Sequence, residues 1–246
     1  MGQILDKPVT EKHTHNGENN FLLYGCSSMQ GFRISMEDRH NFIADITREK
    51  DAPVEIKNFL KSNPESNLSY FAVYDGHSGD SCADYLSKNI LRNVLTEEVN
   101  SNTKLTEESL LRNDIAIQRG FMKTDYDFEV AGQGDDDSGT TAITNIIKKT
   151  KDGKIELICA NTGDSRCVAY VSGKTEPMSY DHKPTNALEK ERIVKAEGYV
   201  EYGRVNGTLA VSRAFGDLPY KRCAKVPREA QAVTALPDIK RHTIPT

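Results

Sequence analysis

A continuous hydrophobic run, Tyr-Phe-Ala-Val-Tyr, occupies residues 70–74. It holds no charged residue and is mostly aromatic, which is typical of a strand buried on both faces. The run ends at Asp75, Gly76 and His77, where the glycine would let the backbone turn sharply. The pattern predicts a carboxylate and an imidazole at the tip of a central strand. An Asp-Gly pair is also a common turn signal, so an ordinary surface turn is an equally good interpretation of this stretch alone.

Helical periodicity marks three other stretches. Apolar residues within 82–95 recur at helical spacing and predict a helix that begins near Gly79. A second helix is predicted to begin near Thr106, with two glutamates in its first turn. Its inward-facing residues are expected to be Leu111, Ile115, Phe121 and Met122. A third helix is predicted over residues 186–196, because Asn186 and Glu189 have the spacing of a capping box.

Shorter apolar or alternating runs, separated by turn residues, predict several strands. They lie at residues 21–29, 42–46, 142–147, 155–160 and 166–171. The short turns between the last three, such as the one at Gly153, require neighbouring strands to be antiparallel. Residues 13–20 and the proline-containing stretch between Pro53 and Pro64 are polar, and are predicted to be surface loops.

Composition narrows the class of protein. The chain has 246 residues, of which 37% are hydrophobic and 28% are charged, as in a globular protein with a sizeable core. No apolar run approaches the roughly 20 residues of a membrane-spanning helix. The net charge of −4 and the scattered basic residues argue against nucleic-acid binding. The five cysteines lack C-x-x-C spacing, which favours free thiols in the cytoplasm or nucleus over disulfides or a zinc site.

The first 20 residues are interpreted as a separate surface segment ahead of a domain at 21–246. Gly2 follows the initiator methionine and could accept a myristoyl group, which would associate the chain with a membrane. The sixth residue is Asp6, whereas the usual motif has serine or threonine there, so the acylation signal is weak.

Two further groups of polar residues are candidates for metal or phosphate chemistry. Arg33, Glu37 and Asp38 lie in one connection between predicted strands, where a guanidinium can bind phosphate and paired carboxylates need a cation. Asp164 lies at a predicted hairpin tip. Taken alone, each group is better explained by a solvated turn with local ion pairs or hydrogen bonds. The run Asp135-Asp136-Asp137 is interpreted as a solvated acidic loop rather than a metal site.

The motifs occur together and in a recognisable order. They are Gly31-x-Arg33-x-x-Met36-Glu37-Asp38, Tyr74-Asp75-Gly76-His77-Ser78-Gly79, Ser138-Gly139-Thr140-Thr141-Ala142, Gly163-Asp164-Ser165-Arg166, Asp181-His182-Lys183-Pro184, Arg204-Val205-Asn206-Gly207 and Gly216-Asp217. This series resembles the metal-dependent serine/threonine phosphatases of the protein phosphatase 2C (PPM) family. Residues 5–8 and 188–193 resemble its alpha and beta isoforms in particular.

The resemblance implies a fold and a cofactor. The fold is of the α+β class, a four-layer α/β/β/α sandwich of two antiparallel sheets flanked by helices. Two Mn²⁺ or Mg²⁺ ions are implied, with oxygen ligands that suit hard cations. In this implied centre Asp75 bridges the two ions and Gly76 offers its carbonyl. Glu37 and Asp38 complete part of the shell, and Asp164 binds a third, weaker ion.

The resemblance also implies the reaction. Arg33 would hold the phosphate and His77 would protonate the departing serine or threonine oxygen, while a metal-activated water attacks phosphorus. The implied partners are phosphoserine and phosphothreonine proteins, bound by a monomer.

One departure from the family pattern lies at the end of the chain. The family continues with two further metal-binding aspartates, whereas this sequence stops at Thr246, and neither Asp217 nor Asp238 is expected to replace them. We therefore expect weakened metal binding. A truncated form that binds phosphoproteins through Arg33 without turnover is an alternative function. A metal-dependent nuclease is disfavoured because the basic residues form no stripe.

Overall fold

The computed structural model describes residues 4–133 and 136–244, so Gly2 and Asp135 lie outside the described residues. Its helices are α1 (Val54–Ser62), α2 (Ser81–Ser101), α3 (Asp114–Phe128) and α4 (Ala187–Lys195). Its strands are β1 (Ile4–Val9), β2 (His13–Glu18), β3 (Leu23–Ser28), β4 (Gly31–Arg33), β5 (Arg39–Ile43), β6 (Asn67–Tyr74), β7 (Gly76–His77), β8 (Gly139–Thr140), β9 (Ala142–Lys149), β10 (Ile155–Thr162), β11 (Val168–Val171), β12 (Lys174–Pro177), β13 (Val200–Glu201), β14 (Arg204–Val205), β15 (Phe215–Gly216) and β16 (Asp238–Ile244). Single turns of 3₁₀ helix lie at Ile46–Arg48, Leu218–Tyr220 and Arg228–Ala230, and a π-helical turn follows α3 at Glu129–Gln133.

A five-stranded antiparallel sheet of order β16-β10-β9-β6-β5 forms the centre of the molecule. One face of β6 carries Leu68, Tyr70, Ala72 and Tyr74, and these side chains are buried in the main core with the apolar faces of α2 and α3. This burial of one strand face against two amphipathic helices supplies most of the apolar contact that fixes the strand. The helix at 82–95 and the antiparallel pairing of β9 with β10 are confirmed. The predicted pairing of β10 with the strand after Asp164 was wrong, because β11 pairs with β12 in a separate hairpin and β10 pairs with β16 instead.

The other face of β6 is only partly covered, which corrects the expectation of a strand buried on both faces. Val73 is 44% exposed, whereas Phe71 contacts the ring of Tyr24 at a centroid distance of 5.4 Å. Tyr24 belongs to a hairpin of β2 and β3, which lies over this part of the sheet. Residues 13–18, predicted to be a polar loop, thus form a surface strand. The hairpin of β11 and β12 covers β9 and β10 in a similar way.

Two predictions were wrong: the surface loop between Pro53 and Pro64, and the start of the second helix near Thr106. The stretch between Pro53 and Pro64 holds α1, in which Ile56 and Leu60 are buried one turn apart. The helix expected from Thr106 forms a single turn that ends at Leu111, whose φ is +56°.

Helix α3 begins only after that break. The side chain of Asn113 caps it by accepting a hydrogen bond from the Ile115 N–H at 3.0 Å. This new start turns Ile115 outward, and it is 44% exposed rather than buried.

A group of paired charges that we call the ion cluster joins α4 to the start of β16. Its members are His182, Glu189, Arg192, Arg213 and Asp238. Glu189 is 4% exposed, and its carboxylate accepts hydrogen bonds from Arg192 and Arg213, each at 2.7 Å. Arg213 also binds Asp238 at 2.8 Å, and Asp238 contacts His182 Nε2 at 3.0 Å. The predicted capping-box role of Glu189 was therefore wrong, although the helix itself is confirmed.

Candidate active site

The tip of β6 places Asp75 at the floor of an open cleft of about 590 Å³. The backbone beyond it does not turn sharply but continues into β7, which pairs with β8. A Cβ atom at Gly76 would lie 2.3 Å from the carbonyl oxygen of Glu37. Glycine is therefore required at this position because the loop that carries Glu37 approaches closely, and not because of a turn.

That loop connects β4 to β5 and contributes Arg33 and Asp38 to the same region. The Gln30 side chain holds it by donating hydrogen bonds to the carbonyls of Arg33 and Ile34, at 2.8 and 3.1 Å. Arg33 is exposed and lines both the main cleft and an adjoining one of about 400 Å³. The loop thus presents a guanidinium beside the strand tip, as a phosphate-binding arginine requires.

Two carboxylates of like charge meet at this point. Partial burial in the cleft raises the pKa of Asp38, and the charge of Asp75 and a hydrogen bond shared with it raise the pKa further. The positive charge of Arg33 opposes this effect but does not cancel it. Two carboxylates in such proximity need a shared proton or a cation to stay together.

Glu37 differs from the other predicted ligands. Its carboxylate accepts a hydrogen bond from the Ser35 hydroxyl at 2.7 Å, and it lines the smaller cleft together with Asp38. This hydrogen bond uses Oε1 of Glu37, and a carboxylate that accepts one hydrogen bond can still bind a cation. The smaller cleft therefore brings Glu37 together with Asp38 and Asp75.

Asp164 reaches the main cleft from the turn after β10. Gly163 has a φ of +114°, and a Cβ there would lie 2.6 Å from Thr141, so the turn needs glycine. Asp164 pairs with Lys183, and the neighbouring His182 accepts a hydrogen bond from the Gly163 N–H at 3.0 Å. Asp164 therefore enters the cleft as predicted, with a counter-charge already in place.

His77 has a partner that sequence reasoning missed. Its Nε2 atom lies 2.8 Å from Oδ2 of Asp217, which is buried. Burial lowers the pKa of His77, but the hydrogen bond and charge of Asp217, with the charges of Asp75 and Glu37, outweigh this effect and raise it. Asp217 belongs to a Gly-Asp motif noted in the sequence, but its pairing with a residue 140 positions away leaves no local signal.

The donor atoms fit a hard divalent cation in chemistry, although they do not form a finished cage. Asp38, Asp75 and the Gly76 carbonyl offer oxygen only, and the like-charge pair would be stabilised by a cation. Within residues 4–133 and 136–244, no three His, Cys, Asp or Glu side chains are grouped closely enough to hold a metal ion. The candidate ligands thus provide an incomplete site that needs rearrangement or further ligands.

The sequence model of the family described as "Protein phosphatase 2C" matches residues 22–246. Protein phosphatase 2C homolog 2 of Aspergillus flavus is 40% identical over 254 residues, which cover 99% of this chain and 52% of that protein. The Schizosaccharomyces pombe protein phosphatase 2C homolog 2 is 40% identical, covering 99% and 60%. Mouse protein phosphatase 1B is also 40% identical, covering 90% and 53%. The chain thus spans between half and three fifths of these relatives.

Solved structures share the fold. A serine-threonine phosphatase 2C from Toxoplasma gondii superimposes with a TM-score of 0.60 at 19% identity, covering 98% of this chain and 78% of that one. Another T. gondii phosphatase gives a TM-score of 0.62 at 21% identity, covering 84% and 72%. The predicted α+β sandwich of sheets flanked by helices is confirmed. In the part of the chain that the structure describes, no helix is long and apolar enough to cross a membrane.

Proposed function

Because the chain belongs to the protein phosphatase 2C family, we propose that the cleft around Asp75 hydrolyses phosphoserine and phosphothreonine in proteins. The observation that carries this proposal is that Asp38 and Asp75 lie beside Arg33 in the smaller cleft, and that Arg33 and Asp75 also line the adjoining main cleft with His77. Like charges held close together cost stability unless they share a proton or bind a cation. A cation and a phosphate would offset that cost together.

Each side chain has a defined task in this reaction. Arg33 can bind two phosphate oxygens through its planar guanidinium and so orient the phosphorus atom. His77, with its raised pKa, can hold a proton near neutral pH and deliver it to the leaving oxygen. The openness of the cleft suits a phosphorylated segment of a protein, whose serine or threonine lies in an extended or loop region.

The proposed cofactor is Mn²⁺ or Mg²⁺. When bound, such ions supply an activated water and neutralise phosphate charge. Asp75, Asp38, Glu37 and the Gly76 carbonyl would hold two ions, and the Ser35 hydroxyl would orient the Glu37 carboxylate. A third, weaker ion would compete with Lys183 for Asp164.

All five cysteines are free thiols in the structure. Free thiols persist in a reducing compartment, and we therefore place the protein in the cytoplasm or nucleus. Acylation at Gly2 stays a prediction. The finer resemblance to the alpha and beta isoforms also stays a prediction, because a fungal and a mouse relative are equally similar to the chain.

The direct test is hydrolysis of a phosphothreonine peptide by the purified chain with Mn²⁺, Mg²⁺ or EDTA. We expect metal-dependent release of phosphate that falls by at least about 100-fold in Asp75→Asn, because the loss of one shared ligand removes several kcal/mol of charge stabilisation. Asp152→Asn, in the distant turn after β9, is the matched control and should keep full activity. Metal-independent turnover, or equal loss in both variants, would contradict the proposal.

A second candidate function is the capture of phosphoproteins through Arg33 without turnover. The exposed Arg33, which lines both clefts, is the observation that favours it. This candidate predicts no turnover, together with binding of the phosphothreonine peptide in EDTA that is lost in Arg33→Ala and retained in Arg48→Ala, an arginine at the opposite end of β5. Turnover in the first experiment would exclude it as the main function.

A further inference from the structure

We propose that Asp217 is a positioning residue for His77, holding the imidazole by Nε2 so that Nδ1 is the nitrogen that gives its proton to the leaving oxygen. This inference rests on the proposed phosphatase function. It concerns the chain's own side chains and assigns a task to Asp217, which belongs to a sequence motif but had no role in the metal chemistry.

The first argument is the small sheet of β15, β8 and β7, whose middle strand separates the two partners. Gly139 of β8 is paired with His77 on one side and with Gly216 on the other. The side chains of His77 and Asp217 meet directly over it. A Cβ atom at Gly139 would lie 2.4 Å from His77 Nε2 and 2.4 Å from Asp217 Oδ2. The missing side chain at Gly139 therefore creates the space in which the contact forms.

The second argument is the rigid support of Asp217. Its backbone has a φ of +50°, a left-handed conformation that aspartate tolerates better than most residues. Its N–H donates to the Ser138 carbonyl at 3.1 Å, and its own carbonyl accepts from the Tyr220 N–H at 3.0 Å. The Asp217 side chain is 4% exposed, whereas that of His77 is 28% exposed. A fixed, buried acceptor thus holds Nε2 of a more exposed ring, and both side chains line the main cleft.

The contact decides which nitrogen can act. A carboxylate only accepts hydrogen bonds, so Nε2 must carry a hydrogen and direct it to Asp217. A proton for the substrate then has to come from Nδ1. As the bond from phosphorus to the leaving oxygen breaks, its electron pair stays on that oxygen, which takes the Nδ1 proton. His77 becomes a neutral imidazole that keeps its Nε2 hydrogen on Asp217, and solvent restores the Nδ1 proton after product release.

The experiment compares two substrates that differ in their need for this proton. The para-nitrophenolate ion leaves without protonation, whereas a threonine alkoxide requires it. In Asp217→Ala we expect kcat on a phosphothreonine peptide to fall by about 10-fold or more relative to kcat on para-nitrophenyl phosphate. In Asp217→Asn the loss should be smaller, because the amide oxygen can still accept from Nε2. KM should change little, since Asp217 is not expected to touch the phosphate.

Two controls separate positioning from general support of the fold. Asp125 is a buried carboxylate that accepts from the Gly216 N–H at 2.9 Å and from Lys221, but does not contact His77. Asp125→Asn should leave the ratio of the two kcat values unchanged, even if the protein becomes less stable. In a His77→Ala background, Asp217→Ala should alter the ratio no further. An equal fall on both substrates, or an additive effect in the double variant, would overturn the assignment.

A measurement on the metal-free wild-type protein tests the same claim without turnover. Nitrogen NMR of His77 should show the Nε2-protonated tautomer at a pH where the ring is neutral, and Asp217→Ala should release the ring to a mixture of tautomers. An Nδ1-protonated ring in the wild type would overturn the inference even if the phosphatase function stands. Wild-type protein that hydrolyses neither substrate would instead overturn the proposed function, and this assignment with it.

Discussion

The ion cluster and the cleft arrange their carboxylates in opposite ways. In the ion cluster Glu189 is buried between two arginines; although burial alone would raise its pKa, the hydrogen bond from Arg213 and the charges of Arg192 and Arg213 lower it to about 2. In the cleft Asp38 faces a second carboxylate, and its pKa is raised. The carboxylate of the ion cluster is paired with positive charges of the chain itself. The facing carboxylates of the cleft would be stabilised by a bound cation.

This difference separates charges that stabilise the fold from charges that serve a ligand. The buried carboxylate of Glu189 in α4 binds Arg213, which in turn binds Asp238 at the start of β16. Like charges side by side cost folding free energy, and such costs are concentrated at functional sites. Removing a carboxylate should therefore have opposite consequences in the two regions, and the following predictions test that contrast.

The largest expected effect on stability is in the ion cluster. Glu189→Gln should lower the free energy of unfolding by about 3–5 kcal/mol, because it leaves the buried Arg192 without its counter-charge and Arg213 with Asp238 alone. Glu191→Gln is the matched control on the same helix, where the glutamate forms an exposed pair with Lys195. Chemical denaturation of both variants checks this. Equal stability of the two variants would show that the buried cluster contributes nothing specific.

The same residue should make stability depend on pH. The pKa of Glu189 lies near 4.5 when unfolded and at about 2 when folded, so its contribution is fully present above pH 4.5 and is lost as the pH falls toward 2. The shift corresponds to about 3 kcal/mol. Unfolding measured across this range should show a steeper acid loss for the wild type than for Glu189→Gln. Parallel curves would contradict the assignment.

Crowding at the strand tip should have an intermediate effect. Gly76→Ala places a Cβ 2.3 Å from the Glu37 carbonyl oxygen, which should cost about 1–3 kcal/mol and separate Asp75 from the loop that carries Asp38. Gly25→Ala in β3 is the control, since the nearest atom to its Cβ would be 4.0 Å away. The melting temperature and the rate of hydrolysis should both fall in Gly76→Ala and stay unchanged in Gly25→Ala. A fully stable Gly76→Ala would show that the loop can move aside.

The smallest effect on stability is expected where the effect on activity is largest. Asp75→Asn removes one of two facing carboxylates, so the metal-free protein should be as stable as the wild type or more stable by up to about 1 kcal/mol. Denaturation in EDTA measures this. Destabilisation of the size expected for Glu189→Gln would mean that Asp75 is a structural charge, and the contrast between the two regions would fail.

Local sequence patterns predicted the elements that long apolar runs define. The strand that ends at Asp75 and the helix over residues 82–95 follow from such runs, and the motifs identified the cleft residues before any geometry was known. The helix over 186–196 was also predicted, although the capping box from which it was inferred does not form. These features depend on interactions between residues close in sequence.

The errors arose where distant contacts decide the structure. Glu189 has the spacing of a capping residue, but its carboxylate turns to Arg213, 24 positions away. The helix predicted from Thr106 is broken at Leu111, whose N–H donates to the carboxylate of Glu98 at 2.8 Å. The link between His77 and Asp217 depends on a glycine in a third strand. No local pattern contains such information, and only the packed chain shows it.

If Asp38 and Asp75 together form a cation site, Mn²⁺ should stabilise the folded protein. Thermal unfolding with and without Mn²⁺ measures this most directly. A ligand that binds only the folded state stabilises it by about 2.7 kcal/mol at 100 times its Kd. We predict that Mn²⁺ raises the Tm of the wild type and of Asp152→Asn, but not of Asp75→Asn. An equal rise in all three proteins, or no rise in any, would contradict the account.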